Sequence, residues 1–254
     1  MDARAAWTRV VEQQAPRLAA LFASNETSSQ FTLVRAKSTL GPHAGWGVFV
    51  NGIVHQNDLV CCFPGTIYDR NSFGEAAAWH LGADPLHALV ASPDSAWTAQ
   101  RVEDGVFIDG RDRGLAAVIF QNAAFRDGRN GESVCSTSWL FSSGPKEGSD
   151  AWRHLPLWWA VGQYVNHPPS GVLPNVAFHG ADLNVNDLPA GVRHCLPVVD
   201  FQPVQGQDNA PLRAIFLMAT RDIEDGEELW VDYAYNPNHC PDWFCPVDYG
   251  SSVD

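Results

Sequence analysis

Three short stretches of this chain carry residue types that can hold a charged organic ligand and act on it. Gly45-Trp46-Gly47 opens an apolar run, Tyr164-Val165-Asn166-His167 lies mid-chain with Pro174-Asn175 after it, and Asp225-Gly-Glu-Glu-Leu-Trp-Val-Asp-Tyr233 lies near the end. Glycine admits positive φ and lets a ligand come close to the backbone. An asparagine amide accepts from an ammonium and donates to a carboxylate, so Asn166 suits a zwitterionic ligand end. Tyr233 offers a phenolic hydroxyl. Each also has a plain structural reading, a turn for the glycines and a core position at a strand end for the tyrosine. His167 has no partner at metal-ligand spacing, and Cys240 with Cys245 supplies only a Cys-x4-Cys pair, too few ligands for structural zinc. Glu227 and Glu228 read as turn and strand residues, one fixing the loop and one solvated, rather than as an acid–base pair.

The elements that must position these residues are mostly strands. Phe31 to Ala36, Trp46 to Val50 with a turn at Asn51-Gly52, Asp58 to Phe63, and Gly105 to Asp109 are short apolar runs bounded by turn residues. Leu212 to Thr220, the turn Arg221 to Gly226, and Glu228 to Tyr235 read as a closing strand–turn–strand. Residues 4 to 22 have apolar spacing compatible with an amphipathic helix interrupted at Pro16. The expected organisation is a helical extension and linker over 1–30, one mainly β domain over 31–236, and a tail over 237–254. Insertions are expected at about 72–100, which reads as helical, 121–155 and 180–211. No regular strand–helix alternation appears, and the segment from Gly45 lacks the third glycine of a dinucleotide fingerprint and leads into a strand. Doubly wound nucleotide-binding folds, including the Rossmann-type methyltransferases, are therefore disfavoured.

A chain of 254 residues with 45% hydrophobic content and ten tryptophans can bury a sizeable core. Its formal net charge of -13 speaks against a broad nucleic-acid-binding surface and suits equally an attraction for basic partners such as a lysine-rich peptide or the plain upkeep of solubility. Six scattered cysteines form no disulfide framework, no apolar run reaches membrane-spanning length, and the first residues carry no signal-peptide pattern. The expectation is an intracellular protein, in cytoplasm or nucleus, without a membrane segment.

Taken together and in this order, the three stretches resemble the SET-domain protein lysine methyltransferases, in particular the small family named SET domain-containing protein nine. The motifs span roughly 31 to 236. The resemblance implies a SET-type β-clip fold with a C-terminal pseudoknot, in which the chain end threads a preceding loop. It implies S-adenosyl-L-methionine as cofactor, held by Gly45, Trp46 and Gly47 through backbone contacts, by Tyr164, by the Asn166 side chain and by backbone at His167. Tyr233 takes the place of the catalytic tyrosine that orients methyl donor and target amine, and Phe63 lies by the lysine channel. Trp243, with Phe244, stands where an aromatic tail covers the cofactor in zinc-free relatives, or equally serves as a packing anchor. The partner is a lysine-containing protein or peptide, able to lie as an added strand beside 72–100. Two departures stand out. The Asn166–Asn175 segment is longer than the family pattern and lacks its cysteine, and Val231 replaces the Phe or Tyr often found two positions before the tyrosine. The competing expectation is a catalytically silent SET-fold interaction module.

Overall fold

The computed structural model describes residues 30–68, 98–101, 104–110, 159–183, 198–200, 212–235 and 240–250. Among the described residues nine strands form three small sheets. β1 (Phe31–Lys37) and β2 (Trp46–Gly52) make an antiparallel pair with Lys37 opposite Trp46. β3 (Leu59–Phe63), β7 (Val176–Leu183) and β9 (Leu212–Ala219) form a second sheet with β9 in the centre. β4 (Gly65–Tyr68), β5 (Thr98–Gln100), β6 (Phe107–Asp109) and β8 (Val198–Asp200) form the third, where β8 runs parallel to β4.

Side-chain alternation explains β1. Phe31, Leu33 and Arg35 point inward while Thr32 and Val34 are only partly covered. Arg35 holds a core position because aromatic faces replace water around it. Its guanidinium lies 5.0 Å from the Trp46 ring centroid and 4.3 Å from that of Tyr164. β3 and β9 read as continuous apolar runs because both of their faces are covered. All of β3 and every residue from Ala214 to Ala219 is buried. Cys61 and Cys62 of β3 are free thiols whose ionisation is suppressed by burial.

The expected strands at 31–36, 46–50, 58–63 and 105–109 are present, with ends shifted by one or two residues, and β2 extends through Asn51-Gly52. Three expectations differ. Residues 98–100 are strand, at the edge of the stretch read as helical. Residues 180–183 and 198–200, inside the expected 180–211 insertion, are strand as well, since β7 pairs with β9 along its whole length. The rest of those stretches, the 121–155 insertion and the 1–29 helical segment lie outside the described residues. No helix among the described residues is long and apolar enough to cross a membrane.

The third difference matters most for the site. Residues 228–235 do not pair back onto β9. They meet three separate parts of the chain by isolated bridges, Phe49 with Glu228, Asn166 with Trp230 and Val176 with Val231. Leu229 donates its N–H to the Val48 carbonyl, and Val231 donates to Asn166. Between them, Asn175 acts as a clamp. Its Oδ1 accepts from the Trp230 N–H at 2.7 Å, its Nδ2 donates to the Glu228 carbonyl at 2.9 Å, and its own N–H donates to the Trp230 carbonyl. The turn before this segment is pinned by acids. Asp225 accepts from the Gly52 N–H, Asp222 from the Gln56 N–H, and Glu227 pairs with Arg221 at 2.7 Å. That hydrogen bond from Arg221 holds the Glu227 carboxyl below its usual range, so Glu227 fixes the loop as expected.

Because Asn175 is fully buried, replacing it with alanine leaves a Trp230 N–H and a Glu228 carbonyl without partners. The expected loss is about 2–4 kcal/mol of unfolding free energy. A urea titration reads it as a lower midpoint at unchanged m-value. An unchanged midpoint would show that the clamp does not hold the crossing.

Candidate functional site

The Gly45–Gly47 segment enters the site from a tight loop closed by the Ser38 N–H on the Gly45 carbonyl. The two glycines are there for different reasons. Gly45 has φ +67 and open space where a side chain would sit, so its backbone is accessible. At Gly47 a side chain would overlap the Glu228 carboxylate. Trp46 presents its carbonyl to Asn166, which donates from Nδ2 at 2.9 Å. The Lys37 ammonium lies 4.4 Å from the centroid of the Trp46 ring.

Asn166 follows a one-turn 3-10 helix, Gly162–Tyr164, whose residues are all buried. Its Nδ2 also points to Glu228 Oε1 at 3.4 Å. Both amide protons are thus directed at protein acceptors, while no described group donates to Oδ1. Asn166 therefore offers an acceptor alone, which corrects the expectation that its amide would serve both ends of a zwitterion. Its Oδ1 suits an ammonium.

Glu228 is a second correction. It is 5% exposed, not solvated. Its Oε2 accepts from the Thr39 N–H at 2.8 Å and from the Thr39 hydroxyl at 2.6 Å. The crossing of 228–231 over β2 turns this side chain under the Gly47 backbone. An alternating pattern in the sequence cannot report that, because the covering residues lie 189 positions away.

His167 acts through its side chain. Nδ1 accepts from the Tyr233 N–H at 3.3 Å, which places the ring proton on Nε2, within 2.7 Å of the Cys245 carbonyl. The ring also packs on Phe244, centroids 4.5 Å apart. One imidazole therefore ties the tail to the residue before the chain turns away. The turn itself uses Ala234 in the left-handed region, φ +50, with its N–H on Asp232 Oδ1.

Tyr233 directs its hydroxyl at the Val165 carbonyl, 3.1 Å away. Burial first, and then neighbouring Tyr235, push its phenol above the ordinary value of 10.0, so it stays protonated through the physiological range. Its ring meets Tyr235 and Trp243 edge-on. Trp243 is 60% exposed, and its ring contacts are with Tyr233, Tyr235 and Phe244. Tyr233 also lines a cavity of about 690 Å³, together with Phe63, Phe178, Val231, Tyr235 and Tyr249. Most of that wall is apolar, and Asp232, bonded to the Tyr249 hydroxyl at 2.9 Å, is the one carboxylate among its described lining residues.

All eight singled-out residues fall in one neighbourhood. Trp46, between Gly45 and Gly47, joins Asn166 directly, and Tyr164 joins Trp46 across Arg35. His167, Tyr233 and Trp243 form the opposite side, with Val165 and Asn166 between the two. Glu228, Asn175 and Arg35 were missed as site residues. The Glu-Glu pair and the Pro-Asn dipeptide were visible, but not which acid is buried or what the amide grips. Among the described residues no group of three His, Cys, Asp or Glu is placed to hold a metal.

A closing segment that crosses β2 and then joins an Asn-His segment is the arrangement of a SET domain. Proteins named SET domain-containing protein 9 from Pongo abelii and Homo sapiens are each 31% identical to this chain over 204 residues. That is 80% of this chain and 63% and 58% of theirs, so the chain spans about three-fifths of the length of these curated relatives. The chain has a SET-type fold and resembles SET domain-containing protein 9 over 80% of its own length. No family model matches it. Among solved structures, the Chaetomium thermophilum polycomb repressive complex 2 bound to S-adenosylmethionine overlays with a TM-score of 0.40 at 14% identity. The overlay covers 92% of this chain and 20% of that one, too loose a likeness to carry an argument.

If His167 tethers the tail, His167→Ala will speed chymotryptic cleavage within residues 240–250 by about tenfold, since about 1–2 kcal/mol of hydrogen bonding is removed. Mass spectrometry of timed digests reads the cut sites. Equal cleavage of both proteins would mean that the tail is held by its aromatic contacts alone.

Proposed function

We infer that this chain transfers a methyl group from S-adenosylmethionine to a lysine side chain of a protein. The observation that carries the reading is the pairing of two unlike sites across Val165–Asn166. One has an accessible Gly45 backbone and the unclaimed Oδ1 of Asn166. The other is an apolar cavity with the Tyr233 hydroxyl in its wall.

The residues present fit the cofactor. Gly45 and Trp46 offer backbone at close range, and Asn166 Oδ1 accepts from the amino-acid ammonium. When bound, S-adenosylmethionine supplies an electrophilic methyl on a sulfonium. Everything else falls to the protein. The cavity strips water from the incoming lysine, which lowers the amine pKa and favours the neutral nucleophile. Tyr233 is not the base, because burial keeps its phenol neutral. Its proton is directed at Val165, and a lone pair of its oxygen can accept an amine N–H and aim the nitrogen lone pair. Binding donor and acceptor on either side of Val165–Asn166 would supply the alignment a displacement needs. Val231, buried and lining the cavity, leaves more room there than an aromatic ring would. Substrate segments enter past Leu173 and Tyr249, both exposed at the cavity. The acidic chain favours lysine-rich partners, and an intracellular compartment, cytoplasm or nucleus, is where such proteins are reduced and available.

Calorimetry with S-adenosylmethionine, followed by a peptide array with labelled cofactor, tests the reading. Asn166→Ala should weaken cofactor binding about tenfold or more by removing the ammonium acceptor. Tyr233→Phe should bind within about threefold of wild type yet lose about 10²-fold or more in methyl transfer. Cofactor binding without transfer to any peptide would favour the silent interaction module instead.

A further inference from the structure

The geometry points to Glu228 as the positioning residue that makes the Asn166 pocket selective for a cation, an assignment that rests on the cofactor reading above. Glu228 is buried, and every group that bonds its side chain is a donor: the Thr39 N–H, the Thr39 hydroxyl and the Asn166 amide. That set matches a carboxylate, which accepts only. Among the described residues no lysine, arginine or histidine lies within ion-pair distance of it. A carboxylate taken out of water without a cation is costly. Two neutral donors at Thr39 and a long contact to Asn166 offset part of that cost, and a cation brought by a ligand would offset more.

The side chain also sets geometry. Gly47 lies directly over the carboxylate, with no room for a β-carbon between them. Oε1 and the Trp46 carbonyl together take both amide protons of Asn166. The amide is thereby locked with Oδ1 unclaimed. A flipped amide would set its carbonyl oxygen against both the carboxylate and the Trp46 carbonyl, so Glu228 decides which atom the ligand meets. The same chain segment carries Tyr233 five residues on, so the group that orients Asn166 and the group in the cavity wall ride on one strand-like crossing. Glu228 does not touch the reacting atoms. It acts through Asn166 and through its field, and the ligand feature it selects is the α-ammonium.

The test titrates the full 254-residue chain calorimetrically with S-adenosylmethionine and with 5′-methylthioadenosine, which lacks the amino-acid end. Wild type, Glu228→Gln, Asn166→Ala and the double variant are compared. Glutamine keeps the shape and an acceptor for Thr39 but removes the charge and frees the Asn166 amide to flip. Glu228→Gln should weaken S-adenosylmethionine about tenfold or more while 5′-methylthioadenosine stays within about twofold. In the Asn166→Ala background the same change should cost clearly less than in wild type, because part of its effect passes through Asn166. Should Glu228→Gln fold poorly, Thr39→Val, which removes one donor to Oε2, should show the same ligand selectivity at about threefold. Equal weakening of both ligands would reduce Glu228 to a structural part, and additive losses or unchanged S-adenosylmethionine affinity would overturn the assignment. Wild type that binds neither ligand would instead overturn the cofactor reading itself.

Discussion

The crossing of residues 226–233 must satisfy its backbone groups against partners that are far apart in sequence, and the rest of the structure depends on that constraint. Gly226 and Leu229 donate to β2, Trp230 is gripped on both sides by Asn175, Val231 donates to Asn166, and Tyr233 donates to the ring of His167. A continuous strand needs one neighbour over its length. This segment changes neighbour every one or two residues, so each bond stitches another part of the chain to it. A buried N–H or carbonyl left unmade here is costly, and the crossing therefore holds those parts in a single arrangement.

The site follows from the stitching. Running 228 under Gly47 buries a carboxylate beside the Asn166 amide, and running 231–233 past Val176 and Val165 brings Tyr233 into an apolar cavity. The polar pocket and the cavity lie on either side of one short segment because that segment is what both are built around. His167 then extends the same logic to the tail, using its two ring nitrogens to join the Tyr233 backbone to the Cys245 carbonyl. Aromatic contacts among Tyr233, Tyr235, Trp243 and Phe244 close the corner without a metal cluster among the described residues.

The legible parts were those whose signal is local. β1, β2, β3 and β6 could be read because apolar residues run or alternate over a few positions and Gly or Pro ends them. Gly45, Asn166 and Tyr233 could be singled out because few residue types serve close approach, amide recognition or phenolic hydrogen bonding. The misread parts depend on partners. Residues 228–235 look like the second strand of a hairpin, since an acidic turn with Gly226 precedes them and the apolar pattern suits it. The hairpin does not form because β9 is already paired on both edges, by β3 and β7. Residues 180–183 look like the start of an insertion because Gly180 and Asp182 interrupt the run, yet β9 supplies a neighbour for the full length of β7.

Residue types and short spacings were enough to determine a mainly β chain, the three motifs and the SET-like order in which they occur. They decide such things because propensity, turn geometry and donor–acceptor capacity belong to single residues and near neighbours. Only the tertiary structure decided that Glu228 rather than Glu227 is buried, that the Asn166 amide presents its oxygen, and that His167 works through its ring. Burial and hydrogen-bond orientation are set by what lies across the contact, and here Thr39 and Glu228 are 189 residues apart. No local pattern carries information over that separation; the folded crossing does.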